Sequence, residues 1–411
     1  MDIKNRIHTP LDEKRRIVDI DIVRGFALFG VLLVNVVYFN TTFSATLVGK
    51  VSLLNPLGLD SGLDQVMAVL ISFLAEGKFY TIFSFLFGLG FYIFISRAED
   101  KGLSSRPLFK RRMFLLLIFG MLNLILVWWG DILHVYALGG FILLIFKDKP
   151  VNVLKRWVLI FLAFATILSL LIFSSSPLLI QQLGEDIYYM ISSDLLKTSF
   201  EVFKHGSYLE IIGFRLGNEI PYLLVYLIFI IPKTVAMFLI GIIAGRLKIF
   251  EDIEGNYNLI RKVWKVTGII GGFSLIAILI SGYPFISVSE IIQNSLVYTF
   301  FFEIGTVVIS LFYITTLLKL LRTKLVAKLL YPLQYVGRMA LTNYLMQCII
   351  CSLVFYGHGL GHVGEISVVG GIIFTIFLFI LQTLYSYLWF KRFKFGPFEW
   401  IWRKHTYGKV V

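Results

Sequence analysis

The chain has 411 residues, 58% hydrophobic and 16% aromatic, with only 15% charged and a mean hydropathy of +0.83. Soluble globular domains carry roughly 25% charged residues, so the composition excludes that class and predicts an all-α, polytopic membrane bundle. The net charge of +13 does not point to nucleic acid, because the Lys and Arg residues fall in short clusters between apolar runs; it points to loops facing an anionic lipid bilayer.

A helix needs about 20 apolar residues to cross the hydrocarbon core. The N-terminal segment 1–21, MDIKNRIHTPLDEKRRIVDID, is polar and lacks the features of a cleavable signal. Ten spans are expected beyond it, at roughly 22–40, 65–96, 112–129, 132–146, 155–175, 221–245, 263–281, 294–318, 333–356 and 366–390. A polar tail, 391–411, follows them, and no repeat or linker marks a second domain. The second span is too long for one straight helix and is interrupted by Glu76–Lys78, which predicts a kink or a re-entrant break. Almost no loop separates the third span from the fourth, so these two form a tight hairpin. Segment 176–220 holds six acids against three Lys and Arg. Within it YYMISSDLLKTSFEVFKHG reads as an amphipathic helix at the outer interface, either a cap on the bundle or a lid over an outward-facing site.

Loop charges orient the set. The N-terminus, the stretches 97–112, 147–156, 246–265 and 319–328, and the tail from Lys391 are basic, whereas 41–63, 176–220 and 282–293 are poor in Lys and Arg. By the positive-inside rule both termini are cytoplasmic. The only two cysteines, Cys348 and Cys351, lie inside an apolar run and read as small buried hydrophobes.

Charged groups at bilayer depth cost several kcal/mol unless paired or hydrated, so each needs a reason. Asp21 and Arg24 stand at helical i,i+3 spacing, as a snorkelling ion pair or as an anion-recognising arginine at the inner face. Asn35 faces a neighbouring helix or a cavity. Glu76 and Lys78 at the break suggest a hydrated cavity; the alternative is a local pair that stabilises the kink. Glu303 has no base near it in sequence, and must meet a partner in space or line water. In WWGDILHVYA, residues 128–137, Asp131 and His134 share one helix face behind Trp128 and Trp129. An aspartate beside an imidazole fixes its tautomer, as in a general base; the plainer reading is a helix N-cap beside an interfacial histidine. In the ninth span Arg338, Asn343 and Gln347 line one side, as ligands or as an anchor and interhelical glue. His358 and His362 sit in a glycine-rich outer loop where no carboxylate and cysteine together complete a ligand set, so no metal is expected.

The stretches RGFALFGVLLVN (24–35), EGKFYTIFSFLFGLGF (76–91), WGDILHVYAL (129–138), GRMALTNYLMQ (337–347) and FKFGPFEWIWRKHTYG (393–408) resemble the YeiB family of bacterial inner-membrane proteins, also known as domain of unknown function 418. The matching segments run from the first span to the C-terminus. The opening DIDIVRGFAL is also similar, more remotely, to transmembrane acyltransferases such as the heparan glucosaminide acetyltransferase. Those proteins take an acyl group from a cytoplasmic thioester and deliver it across the membrane. In the heparan enzyme the key histidine follows the first span; here VVYFNTTFSA holds none, so His134 would take that role.

Three functions remain open. As an acyltransferase, with acyl-CoA as donor substrate and no permanently bound cofactor, the protein would hold donor phosphates with Arg24 and Arg338 and use His134, oriented by Asp131, as base. Its acceptor would be a small molecule, lipid or glycan. As a proton-coupled transporter it would use Glu76, Glu303 and His134 as relay or substrate site, with Arg338 as a gate. The third option is a structural or signalling membrane protein. A homodimer is among the expected assemblies.

Overall fold

A computed structural model describes residues 17–47, 62–183, 185–280 and 288–407. Residues 1–16 of the N-terminal segment, 48–61 of the connection 41–63, and 281–287 of the connection 282–293 lie outside these. The described residues form an all-α bundle without strands. That follows from the composition, since a backbone crossing lipid must satisfy its own N–H and C=O groups.

In chain order the helices are α1 (Val18–Phe39), α2 (Phe43–Leu47), α3 (Gly62–Leu74), α4 (Lys78–Asp100), α5 (Ser105–Leu122), α6 (Leu133–Phe146), α7 (Val151–Leu183), α8 (Glu185–His205) and α9 (Tyr208–Phe214). They continue with α10 (Ile220–Arg246), α11 (Tyr257–Ile280), α12 (Val288–Leu320), α13 (Lys324–Leu330), α14 (Leu333–Arg338), α15 (Ala340–Phe355), α16 (Val368–Phe390) and α17 (Pro397–Tyr407). Seven stretches among the described residues are long and apolar enough to cross a membrane: α1, Gly62–Asp100, Val151–Ile172, Tyr208–Arg246, α11, Leu296–Leu320 and α16. The helices α6 and α15 are apolar but shorter. The amphipathic stretch of segment 176–220 lies on α8.

The expected interruption of the second span is real. Gly77 adopts φ +77°, in the left-handed region that suits glycine, and separates α3 from α4. Near the centre α4 packs on α10, and α10 also meets α6 and α7. A Cβ at Gly88 would collide with the backbone of Phe238, and one at Gly241 with that of Phe85. The two backbones therefore touch, the close packing that small residues allow in membranes. The same device brings α1 against α14, through Gly25 and Gly337.

The basic connections gather at one end. Arg106 bonds Asp148 at 3.0 Å, Arg246 donates to the Lys147 and Lys149 carbonyls, and Arg322 meets Glu254 at 2.7 Å. The other connections meet at the opposite end, where Thr42 bonds Ser199 and Lys204 pairs with Glu365, each at 2.8 Å.

Candidate functional site

α5 ends in a π-turn over Asn123–Val127, and Trp128 leaves it extended at φ −156°. The chain doubles back into α6, so close to α5 that a Cβ on Gly120 would strike the His134 backbone. This hairpin fixes Asp131 and His134, whose side chains are 0% and 7% exposed. Oδ2 of Asp131 accepts the His134 backbone N–H at 3.0 Å and meets His134 Nδ1 at 2.8 Å. Oδ1 accepts from Asn123 Nδ2 at 2.9 Å and from the Tyr344 hydroxyl at 3.4 Å. A carboxylate only accepts, so Nδ1 carries the imidazole proton and Nε2 presents a lone pair. Asp131 thus serves both as a capping acceptor for α6 and as the partner of the ring. Tyr344 also accepts the Ile132 N–H at 3.2 Å, which ties α15 to the dyad.

The two tryptophans pack behind it. Trp128 stacks on Phe39 at 4.3 Å, and Trp129 meets Tyr38 edge-on at 5.9 Å. The Tyr38 hydroxyl donates to Glu76 Oε1 at 2.7 Å, and Ser72 donates to Oε2 at 2.9 Å. Glu76 and Lys78 do not pair with each other. Lys78 instead reaches back to the Ser72 carbonyl at 3.0 Å and is 2% exposed. The partner that Glu303 required is Lys233, whose Nζ donates to Oε2 at 2.8 Å, while Ser169 bonds Oε1 at 3.3 Å. The Lys78 and Lys233 ammonium groups stand 5.0 and 6.0 Å from the Phe302 ring centroid. The fold therefore gathers Glu76, Lys78 and Glu303 around the start of α4, next to the aromatic wall of the dyad.

Other residues singled out by sequence stand elsewhere. Arg24 donates to Asp21 at 2.9 Å and to the Gly337 carbonyl at 3.3 Å, beside Arg338, which lies 4.0 Å from the Phe390 ring. Both lie toward the basic end, away from the dyad. Asn343 donates to Ser386 at 3.0 Å and Gln347 to Gln382 at 2.8 Å, holding α15 to α16. Asn35 is half-buried. In the loop 357–366 His362 and Lys204 hold the Glu365 carboxyl down at about 2, well below its usual range.

Sequence reasoning passed over Lys233, Asn123, Tyr344 and the buried Arg215–Glu219 pair at 3.4 Å. The criterion that picked out Glu303, a charge inside an apolar span, also picks out Lys233 in IFIIPKTVAMF. Nothing comparable marks Arg215 and Glu219, which lie in a segment read as interfacial.

The chain is 33% identical to the uncharacterized protein YxaH of Bacillus subtilis (strain 168) over 410 residues, covering 97% of this chain and 96% of that one. It is 29% identical to an uncharacterized 39.9 kDa protein of Bacillus acidopullulyticus, covering 97% and 96%. With the uncharacterized protein YeiB of Escherichia coli (strain K12) it shares 26% identity, covering 95% and 96%. No solved structure matches it. Residues 244–409 match the model of a protein family of unknown function, DUF418, and the chain belongs to that family.

Proposed function

We propose that the protein is a membrane-embedded acyltransferase of the bacterial cytoplasmic membrane. It passes an acyl group from a cytoplasmic thioester to a hydroxyl or amine of an envelope or exported acceptor. The observation that carries this reading is the buried His134–Asp131 dyad, with Nδ1 held at 2.8 Å and Nε2 left to act as base. The acceptor loses its proton to Nε2 as its oxygen or nitrogen attacks the thioester carbonyl carbon. The new C–O or C–N bond forms, the C–S bond breaks, and the imidazolium returns the proton to the leaving thiolate.

Acyl-CoA suits the role of donor. Arg24 and Arg338, both toward the basic end, offer charge to its phosphates, and the loop charges assign that end to the cytoplasm. The dyad lies at the far end of α6, whose 14 residues rise about 21 Å, so the donor must carry its acyl group on an extended arm. Membranes containing the protein, supplied with acyl-labelled CoA thioester, should place label in a lipid or glycan fraction. His134→Ala should abolish that transfer while the protein still elutes as a folded species. Undiminished labelling by this variant would sink the reading.

One observation favours a second reading. The Lys233–Glu303 pair, with side chains 6% and 16% exposed, lies midway along α10, where proton-coupled transporters of small or lipid-like substrates place their relays. Proton uptake coupled to solute entry in proteoliposomes, lost in Lys233→Met, would support it over acyl transfer.

A further inference from the structure

α16 ends at Phe390, and the chain turns through Lys391–Gly396 into α17. Between them lies a groove enclosing about 470 Å³, lined by Trp389, Phe393, Lys394, Phe395, Pro397 and Trp400. That volume is within the roughly 300–1,000 Å³ of ligand sites. Its wall is fixed: Trp389 stacks on Phe393 at 4.3 Å and donates its indole N–H to the Phe395 carbonyl at 2.8 Å.

Charge on the groove has one sign. Lys394 lines it, Lys404 stands over its Trp400, and Lys391 and Arg392 belong to the same turn; all four are exposed. Residues 391–407 contain a single acid, Glu399. Its carboxylate is turned into the bundle, where it accepts the backbone N–H groups of Leu341 and Thr342 at 2.7 and 3.1 Å and the Thr342 hydroxyl. It therefore does not neutralise the rim. The Lys391 and Lys404 ammonium groups lie 4.6 and 4.8 Å from the Tyr387 and Trp400 ring centroids, the posture of cations held at a membrane surface by aromatic residues.

An apolar track leads into the groove from the membrane side. Ile373, Phe377, Ile380, Leu384 and Leu388, each at least half exposed, make α16 an apolar, outward-facing helix. From Phe377 the exposed row runs at four-residue intervals through Leu381 and Tyr385 to Trp389, whose ring lies 5.6 Å from that of Tyr385. A basic pocket continuous with such a stripe is complementary to a molecule with an anionic head and a hydrocarbon tail. We propose that this groove binds an anionic phospholipid of the leaflet at the basic end of the bundle. The phosphate rests among Lys391, Lys394 and Lys404, and one acyl chain lies along the α16 stripe. A second copy of the chain fits less well, because a two-fold contact here would set the same lysines against one another. The inference does not depend on the acyltransferase reading.

Native mass spectrometry of the full chain in detergent tests it, with phosphatidylglycerol and phosphatidylcholine of identical acyl chains. One phosphatidylglycerol should be retained where phosphatidylcholine is lost. The double substitution Lys394→Gln and Lys404→Gln should weaken retention by about twenty-five-fold, at about a factor of five for each cation. Lys394→Arg with Lys404→Arg should preserve it. Both positions are exposed, and an unchanged unfolding temperature confirms that the variants are folded. Equal retention of the two lipids, full retention by the glutamine variant, or equal binding of glycerol phosphate without acyl chains would each overturn the proposal. So would a dimer that seals this face.

Discussion

Asp131 supports two structures with one carboxylate: it accepts the His134 N–H that opens α6, and it holds the His134 ring. Asparagine caps helices about as well as aspartate. In Asp131→Asn, however, an amide N–H₂ would face the donors of Asn123 and Tyr344 or lose the charge that steadies the imidazole. The expected cost in stability is about 1–3 kcal/mol, whereas transfer activity should fall about a hundredfold or more. Groups that act as a unit lose activity non-additively. The Asp131→Asn, His134→Ala double variant should therefore be hardly worse than His134→Ala alone. A fully active Asp131→Asn would end the case for the dyad. The Lys233–Glu303 pair invites a different comparison. Removing one member of a buried pair leaves an uncompensated charge and costs about 3–5 kcal/mol. Lys233→Met should destabilise by that order in detergent unfolding, and adding Glu303→Leu should restore most of the loss. If the double variant is no more stable than the single, the lysine has other partners that matter more.

At the scale of elements, α8 is fastened to the loop 357–366. The Phe203 carbonyl accepts from Gly357 N–H at 2.7 Å, and Glu365 bonds Lys204 at 2.8 Å and His362 at 3.0 Å. The Glu365 carboxyl titrates at about 2, first because of its hydrogen bond to His362 and then because of Lys204. A carboxyl whose folded pKa lies below its unfolded value stabilises the fold above the ordinary range, near 4.5, and loses that contribution as pH falls toward 2. Amide protection factors in 200–206 and 357–366, corrected for the intrinsic pH dependence of exchange, should therefore be high at pH 6 and fall between about pH 4 and 2. In Glu365→Gln exchange should be raised at pH 6 and respond less to acid. Much of the architecture is legible in the sequence, because long apolar runs and the Glu76–Lys78 interruption leave the backbone few alternatives. The Asp131–His134 pairing is legible too, since it needs only helical spacing. Contacts between distant segments are not: no local pattern joins Lys233 to Glu303, Tyr38 to Glu76, or Tyr344 to Asp131. The π-turn at Asn123–Val127 is equally silent, as nothing in NLILV distinguishes it from ordinary helix.

For the molecule as a whole, the segregation of charge makes a labelling experiment decisive. Cys348 and Cys351 are buried, so introduced thiols can be read above a low background. An impermeant maleimide should label Leu360→Cys, 68% exposed, in intact cells. It should reach Lys149→Cys, at the basic end, only after permeabilisation. The reverse order would invert the bundle and with it the direction of any transfer. The bond network of Glu399 bears on how such a molecule is made. The first N–H groups of a helix have no partner within it, and two of those of α15, on Leu341 and Thr342, are satisfied by a side chain that follows 58 and 57 residues later. During synthesis α15 thus enters the membrane uncapped and stays so while α16 is threaded. A ribosome that stalls before residue 399 leaves the Leu341 and Thr342 donors unmet at the bilayer surface. Docking of α17 closes them, so the N-terminus of α15 takes its final bonds only after α16 and the turn beyond it have been made.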